Sequence, residues 1–160
     1  MIKQLVCLIF LLTLTLSQSC LSQDGKPVAW WVVIKVPPKT GHYGYGYYDS
    51  TMKTATFIYH SNRIDQGNTP LTYTFTEINS LKMEHIAWND EKPTGEVSSS
   101  VAHSKGIIAY QQAGAGSKGL LLTHSIPKYP AFSSGNINPT IADSQNYYGQ
   151  NLACYSMTIK

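Results

Sequence analysis

The chain opens with Lys3 and an unbroken apolar run from Leu5 to Leu12, extended by Thr13 to Leu16 and closed by the small polar residues Ser17 and Ser19. A basic start, an apolar middle and small residues at the end make a secretory signal peptide, and the run is too short for a membrane anchor. Residues 1–19 are expected to be that signal, with the domain over 20–160; the alternative is a buried first helix. From Val28 to Val36 the sequence is apolar and β-branched apart from Lys35, and Pro37 and Pro38 close it, which predicts a central strand. An ammonium inside an apolar segment is costly without a partner, so Lys35 is read either as a site lysine or as a strand-end lysine reaching solvent.

Residues 41–48 alternate glycine with aromatics, the pattern of a hairpin or edge strand whose tyrosines pack on one side. Base stacking by these rings is the lesser reading, because no basic residue interleaves them. Residues 55–60 predict a second strand, and a polar loop follows over 61–70. Thr74 with Glu77 fits a capping box opening a short helix that carries Ile78 and Leu81 on one face. Residues 85–88 return to strand character before the turn-forming Asn89-Asp90-Glu91-Lys92-Pro93 and a loose loop over 94–100. Two more strands are expected at 106–110 and 120–123, joined by a glycine-rich turn over 114–119, and a last one at 152–159. Strands mixed with at least one helix predict an α/β or α+β fold, a mixed α/β sandwich around a central β-sheet, with no internal repeat.

Cysteine usage adds a compartment. Cleavage of the signal removes Cys7 and leaves Cys20 and Cys154, an even pair in a chain bound for an oxidising environment, so one disulfide is expected. Cleavage after Ser22 instead of Ser19 would remove Cys20 and leave a free thiol. There is no Asn-x-Ser/Thr glycan acceptor, since Asn138 precedes Pro139 and Asn68 precedes Thr69 and Pro70. The formal charge of +3 includes Lys3, too little to give nucleic-acid binding through bulk electrostatics. Acid changes this, because His42, His60, His85, His103 and His124 add positive charge as they protonate.

The candidate chemistry lies in His103-Ser104-Lys105, just before a predicted strand. In extended chain residues i and i+2 share a side, so His103 and Lys105 would face one site together. A histidine can attack phosphorus while a lysine neutralises the nonbridging oxygens, with no metal required. A zinc site is poorly supported, the two remaining cysteines being distant and no His-x-x-x-His spacing existing. A Ser125-based hydrolase lacks the Gly-x-Ser-x-Gly elbow.

One His-x-Lys is a weak motif, but its surroundings are specific. Cys20 with Asp24-Gly25-Lys26-Pro27-Val28-Ala29-Trp30-Trp31, Lys35 and Pro37, then Tyr47-Tyr48-Asp49-Ser50, Trp88-Asn89-Asp90-Glu91-Lys92-Pro93, Ala102-His103-Ser104-Lys105-Gly106-Ile107-Ile108, the Leu121–Pro130 stretch around His124-Ser125, and Cys154 stand in one order. Together they resemble deoxyribonuclease II, a branch of the phospholipase D superfamily. The resemblance implies a phospholipase D-like half-domain in a lysosomal or secreted enzyme. It implies metal-free hydrolysis of DNA at acid pH to 3′-phosphate and 5′-hydroxyl ends through a phosphohistidine, with no cofactor. It makes His103 and Lys105 the catalytic pair, with support from His124, Lys35 and Asn89, and pairs Cys20 with Cys154.

Two departures stand out. Full-length members of the family carry two similar halves, each giving one His-x-Lys motif to a shared site, and this sequence carries only the first. Either a C-terminal half is missing or two copies assemble as a homodimer around the motif. Gln111 stands where relatives often have an acidic residue, which puts the orientation of a site residue in doubt. The competing reading is a secreted DNA-binding or interaction domain that keeps the half-fold without hydrolysis. For His124 a histidine satisfied by a backbone carbonyl at a strand end is weighed equally against a site role.

Overall fold

The computed structural model describes residues 19–39, 42–91, 104–111 and 116–159. The signal-peptide run and His103 both lie outside the described residues, as do the loop over 94–100 and residues 114–115 of the glycine-rich turn, whose expected end at 117–119 is instead the start of a strand. Eleven strands and one α-helix are described: β1 Cys20–Leu21, β2 Pro27–Val28, β3 Trp30–Lys39, β4 His42–Asp49, β5 Ile58–His60, α1 Pro70–Ser80, β6 Glu84–Trp88, β7 Gly106–Gln111, β8 Ser117–His124, β9 Ala131–Ser133, β10 Asn136–Asn138 and β11 Gln150–Ile159. A 3₁₀ turn, Asp143–Gln145, precedes β11. No helix among the described residues is long and apolar enough to cross a membrane.

Seven strands form one antiparallel sheet in the order β5-β4-β3-β11-β8-β7-β6, and two short hairpins, β1-β2 and β9-β10, stand beside it. The architecture is thus mixed, broadly α/β, and dominated by the sheet. Alternation along each strand gives it two unlike faces. Inward positions such as Trp31, Val33, Tyr45, Tyr47, Ile107, Leu122 and Leu152 are fully buried, and Leu71, Phe75 and Ile78 of α1 join them in one core. The single described helix covers only this face, so the other keeps its side chains at the surface.

Several expectations need correction. The strand through residues 28–36 divides into β2 and β3, and β3 runs past Pro37 and Pro38 to Lys39 with a register shift between Val36 and Lys39. An irregularity in the ladder is what lets two prolines sit beside β4. β4 forms a hairpin with β3, as one of the two expected readings has it, and lies inside the sheet rather than at its edge, with Tyr45 and Tyr47 packed on one side. The helix begins at Pro70, with Thr69 as its N-cap: Thr69 Oγ1 accepts from Thr72 N at 3.2 Å and Thr72 Oγ1 accepts from Thr69 N at 3.1 Å. Thr74 and Glu77 therefore lie inside the helix and do not open it. Proline at the first helical position loses no hydrogen bond, and the cap lies five residues earlier, at Thr69 instead of Thr74.

The disulfide joins Cys20 to Cys154 with Cα atoms 5.9 Å apart, tying the first hairpin to the centre of β11. Two polar clamps fasten the loops. Arg63 donates to both carboxylate oxygens of Asp65 (2.9 and 2.7 Å) and to Asp143 (3.0 Å), while Asp65 accepts from Ile141 N at 2.7 Å. Asn79 of α1 exchanges two hydrogen bonds with the backbone of Ile137, each 2.9 Å.

Candidate active site

The ends of β6, β7 and β8 meet at one corner of the inward face. Lys105 continues the inward phase of Ile107 and Ala109, and His124 that of Leu120 and Leu122. The antiparallel register sets the two residues opposite each other, and His124 N donates to Lys105 O at 3.2 Å. Both side chains are enclosed, with Lys105 6% and His124 8% exposed. Opposite-phase Trp88 steadies the approach to β7, its Nε1 donating to Ser104 Oγ at 2.9 Å.

A buried ammonium requires a counter-charge. Asp90 supplies it, forming an ion pair with Lys105 in which neither side chain is more than 5% exposed. Asp90 was legible only as part of a turn. Its neighbour Asn89 orients it: Asn89 Nδ2 donates to Tyr129 O at 2.7 Å and to Ile126 O at 3.3 Å, while Oδ1 accepts from Glu91 N at 2.8 Å. Asn89 thus pins the loop that carries Asp90 to the loop that follows His124.

His124 is fixed from both sides. Its Nδ1 accepts from Ile126 N at 3.2 Å, and Tyr129 meets the ring edge-on with centroids 5.2 Å apart. In the neutral imidazole one nitrogen accepts and the other carries the proton, so Nε2 is the donor. Nε2 is buried and has no hydrogen-bond partner among the described residues. Burial foremost, and then the Lys105 charge, lower the His124 pKa to about 4; the Ile126 N–H and Asp90 pull the other way. Among the described residues no backbone carbonyl accepts from the ring.

Lys35 stands apart. It lies on β3, two residues further along the inward face than Val33, which faces Leu152 and through it His124. Its Nζ donates to the carbonyls of Gln145 (3.0 Å), Asn146 (3.2 Å) and Tyr148. An ammonium has three protons, and three carbonyls take them. Lys35 is neither a solvent-reaching lysine nor part of the corner; it fastens the 3₁₀ segment to the sheet. Burial lowers its pKa, with Asp65 opposing and Arg63 adding to the effect.

The corner therefore combines a buried ammonium held by a carboxylate, an imidazole N–H with no protein acceptor among the described residues, and the chain entering from His103. Among those residues no three His, Cys, Asp or Glu side chains group as metal ligands. These side chains sit on a disulfide-stapled domain built around one large antiparallel sheet. A family model described as deoxyribonuclease II matches residues 19–160, and the chain belongs to that family. It is 29% identical over 148 residues to plancitoxin-1 of Acanthaster planci, a match covering 85% of this chain and 40% of that protein. It is 32% identical over 124 residues to deoxyribonuclease-2-beta of Rattus norvegicus, covering 70% and 33%, and 29% identical over 157 residues to deoxyribonuclease-2-alpha of Bos taurus, covering 88% and 40%. The chain thus spans 33–40% of the length of these relatives.

Proposed function

We propose that this chain is the histidine–lysine-bearing unit of an acid, metal-independent DNA endonuclease of the lysosomal or secretory pathway, with a phospholipase D-like half-fold. The observation that carries the reading is the buried Lys105–Asp90 pair beside His124 Nε2, at the foot of the segment that bears His103. In this reading His103 attacks the phosphodiester phosphorus and the bond to the 5′ oxygen breaks. A second histidine protonates that oxygen and then activates water, which cleaves the phosphohistidine to leave a 3′-phosphate. Lys105 Nζ and His124 Nε2–H hold the nonbridging oxygens while charge builds on them.

Acid operation fits this division. A histidine of ordinary pKa, near 6.5, is largely protonated at about pH 5 and can serve as the acid. His124, titrating at about 4, stays mostly neutral there and keeps the Nε2–H. The acid histidine comes from a second His-x-Lys unit, supplied by a second copy or by further polypeptide of the kind that makes the relatives longer.

The test is plasmid nicking by the purified chain at about pH 5 with chelator present, fractionated by size. Nicking that survives chelator and is abolished in His103→Ala supports the reading; nicking unchanged in that variant removes His103 from the mechanism. A folded chain that binds DNA in every fraction and cleaves in none is either a binding domain or half of a site whose second His-x-Lys unit lies on further polypeptide.

A further inference from the structure

We propose that the outward face of the seven-stranded sheet is a docking surface for a second copy of this chain, the two sheets meeting face to face. The face is continuous across six strands. Trp30 of β3 lies opposite Tyr155 of β11, which lies opposite Leu121 of β8, Ile108 of β7 and Ile86 of β6 in turn. Large side chains stay open along it: Ile86 is 64% exposed, Tyr155 44% and Ile34 43%.

Aromatic rings on this face lie over glycines. A Cβ at Gly44 would fall 2.1 Å from Tyr59 Oη, one at Gly106 2.5 Å from Trp88 Cζ2, and one at Gly46 3.3 Å from Phe57 Cδ1. Tyr48 bridges between these rings, its centroid 5.6 Å from Trp30 and 5.9 Å from Phe57. Any side chain at those glycines would lift a ring and roughen the surface.

Charge and area decide the occupant. Among the described outward positions of β4, β3, β11, β8, β7 and β6 the only charge is Glu84, at the edge, where it accepts from Tyr110 Oη at 2.6 Å. A polyanion finds no cation there, and an anionic membrane surface finds no basic rim. Two copies of a neutral face meet without burying a charge, and an isologous contact brings like against like. Six strands spaced about 4.8 Å apart, with two or three outward positions on each, project roughly 500 Å². Accessible area exceeds projected area, so the patch approaches the ~800 Å² per partner of a stable interface. It also exceeds the few hundred Å² at which an exposed apolar patch is ordinarily a contact site. The relatives carry further polypeptide that such a face could seat; for this chain a second copy supplies a sheet of equal width and neutrality.

The contact lies on the face opposite Lys105 and His124 and does not depend on the nuclease reading. The experiment is sedimentation velocity of the purified chain at tens of micromolar. Wild type should run as a dimer, Ile86→Glu with Tyr155→Glu as a monomer, and Tyr147→Glu, a still more exposed tyrosine off the face, as a dimer. Circular dichroism verifies that the double variant folds, which the exposure of both positions favours. A monomeric wild type, or a dimer that persists in the double variant, overturns the proposal. So does a monomeric wild type that floats with phosphatidylcholine–phosphatidylserine vesicles, which would give the face to lipid. Nicking, or its failure, bears on the nuclease reading alone and leaves this one standing.

Discussion

At the scale of single residues, Asp90 carries the most consequence for the least signal. Removing one member of a buried ion pair strands the other charge, and the cost is about 3–5 kcal/mol. Asp90→Asn is therefore expected to lower the urea midpoint sharply, and adding Lys105→Met should recover most of the loss; a double-mutant cycle with no coupling between the two positions contradicts the pairing. Titration gives a second expectation. His124 is depressed to about 4 from an ordinary 6.5, so it adds stability that is full above 6.5 and is lost as pH falls toward 4. Glu77, whose carboxyl burial pushes up to about 7, works in the opposite direction: its contribution is full below about 4.5 and is lost as pH rises through 7. Glu77→Gln should accordingly raise the melting temperature relative to wild type at pH 8 and leave it nearly unchanged at pH 4.5; equal shifts at both pH values argue against the raised pKa. Lys105 was legible in the sequence because a histidine two positions away marks it. Asp90 was not, because a cross-loop ion pair has no fixed spacing and the same letters spell a turn. Lys35 was flagged correctly as an anomaly, but nothing in its own strand foretold that carbonyls more than a hundred residues later would take its protons.

Among the elements, the strands with a continuous apolar or alternating pattern were legible to within a few residues: β3, β7, β8 and β11 all carry one. The two- and three-residue strands β1, β2, β9 and β10 were not, since so short a segment completes no period. The helix was found but begun too late. Thr74-x-x-Glu77 satisfies the usual capping-box spelling, whereas the true box uses Thr69 and Thr72 and was hidden in a loop ending at Pro70. Thr69 Oγ1 is fully buried, and besides capping the helix it donates to Ile64 O at 2.5 Å. Thr69→Ala should cost about 1–2 kcal/mol in thermal or chemical denaturation, against a near-neutral effect for Thr72→Ala on the rim if Thr69 is the dominant cap. Glycine and aromatic alternation in β4 was read as a packing pattern, and it is one. Its second half, the laying of Tyr59 and Phe57 over Gly44 and Gly46, depends on β5 and was invisible in β4 alone.

For the molecule as a whole, the Cys20–Cys154 bond closes a loop of 134 residues, worth about 5 kcal/mol in the chain-entropy account. Reduction is expected to lower the melting temperature by on the order of 10–20 °C, and a scan with and without reductant measures it. The order of the sheet has a consequence for synthesis. β3, β4 and β5 form one meander and β6, β7 and β8 another, each built from neighbours in sequence, and β11 is the only strand between them. Until residues 150–159 are available, each meander has a raw edge, along β3 and along β8, open to pairing with any extended chain nearby. The domain becomes one cooperative unit only when its last described strand arrives to fill the seam, so premature termination just before that strand would yield not a slightly weakened domain but two sticky halves.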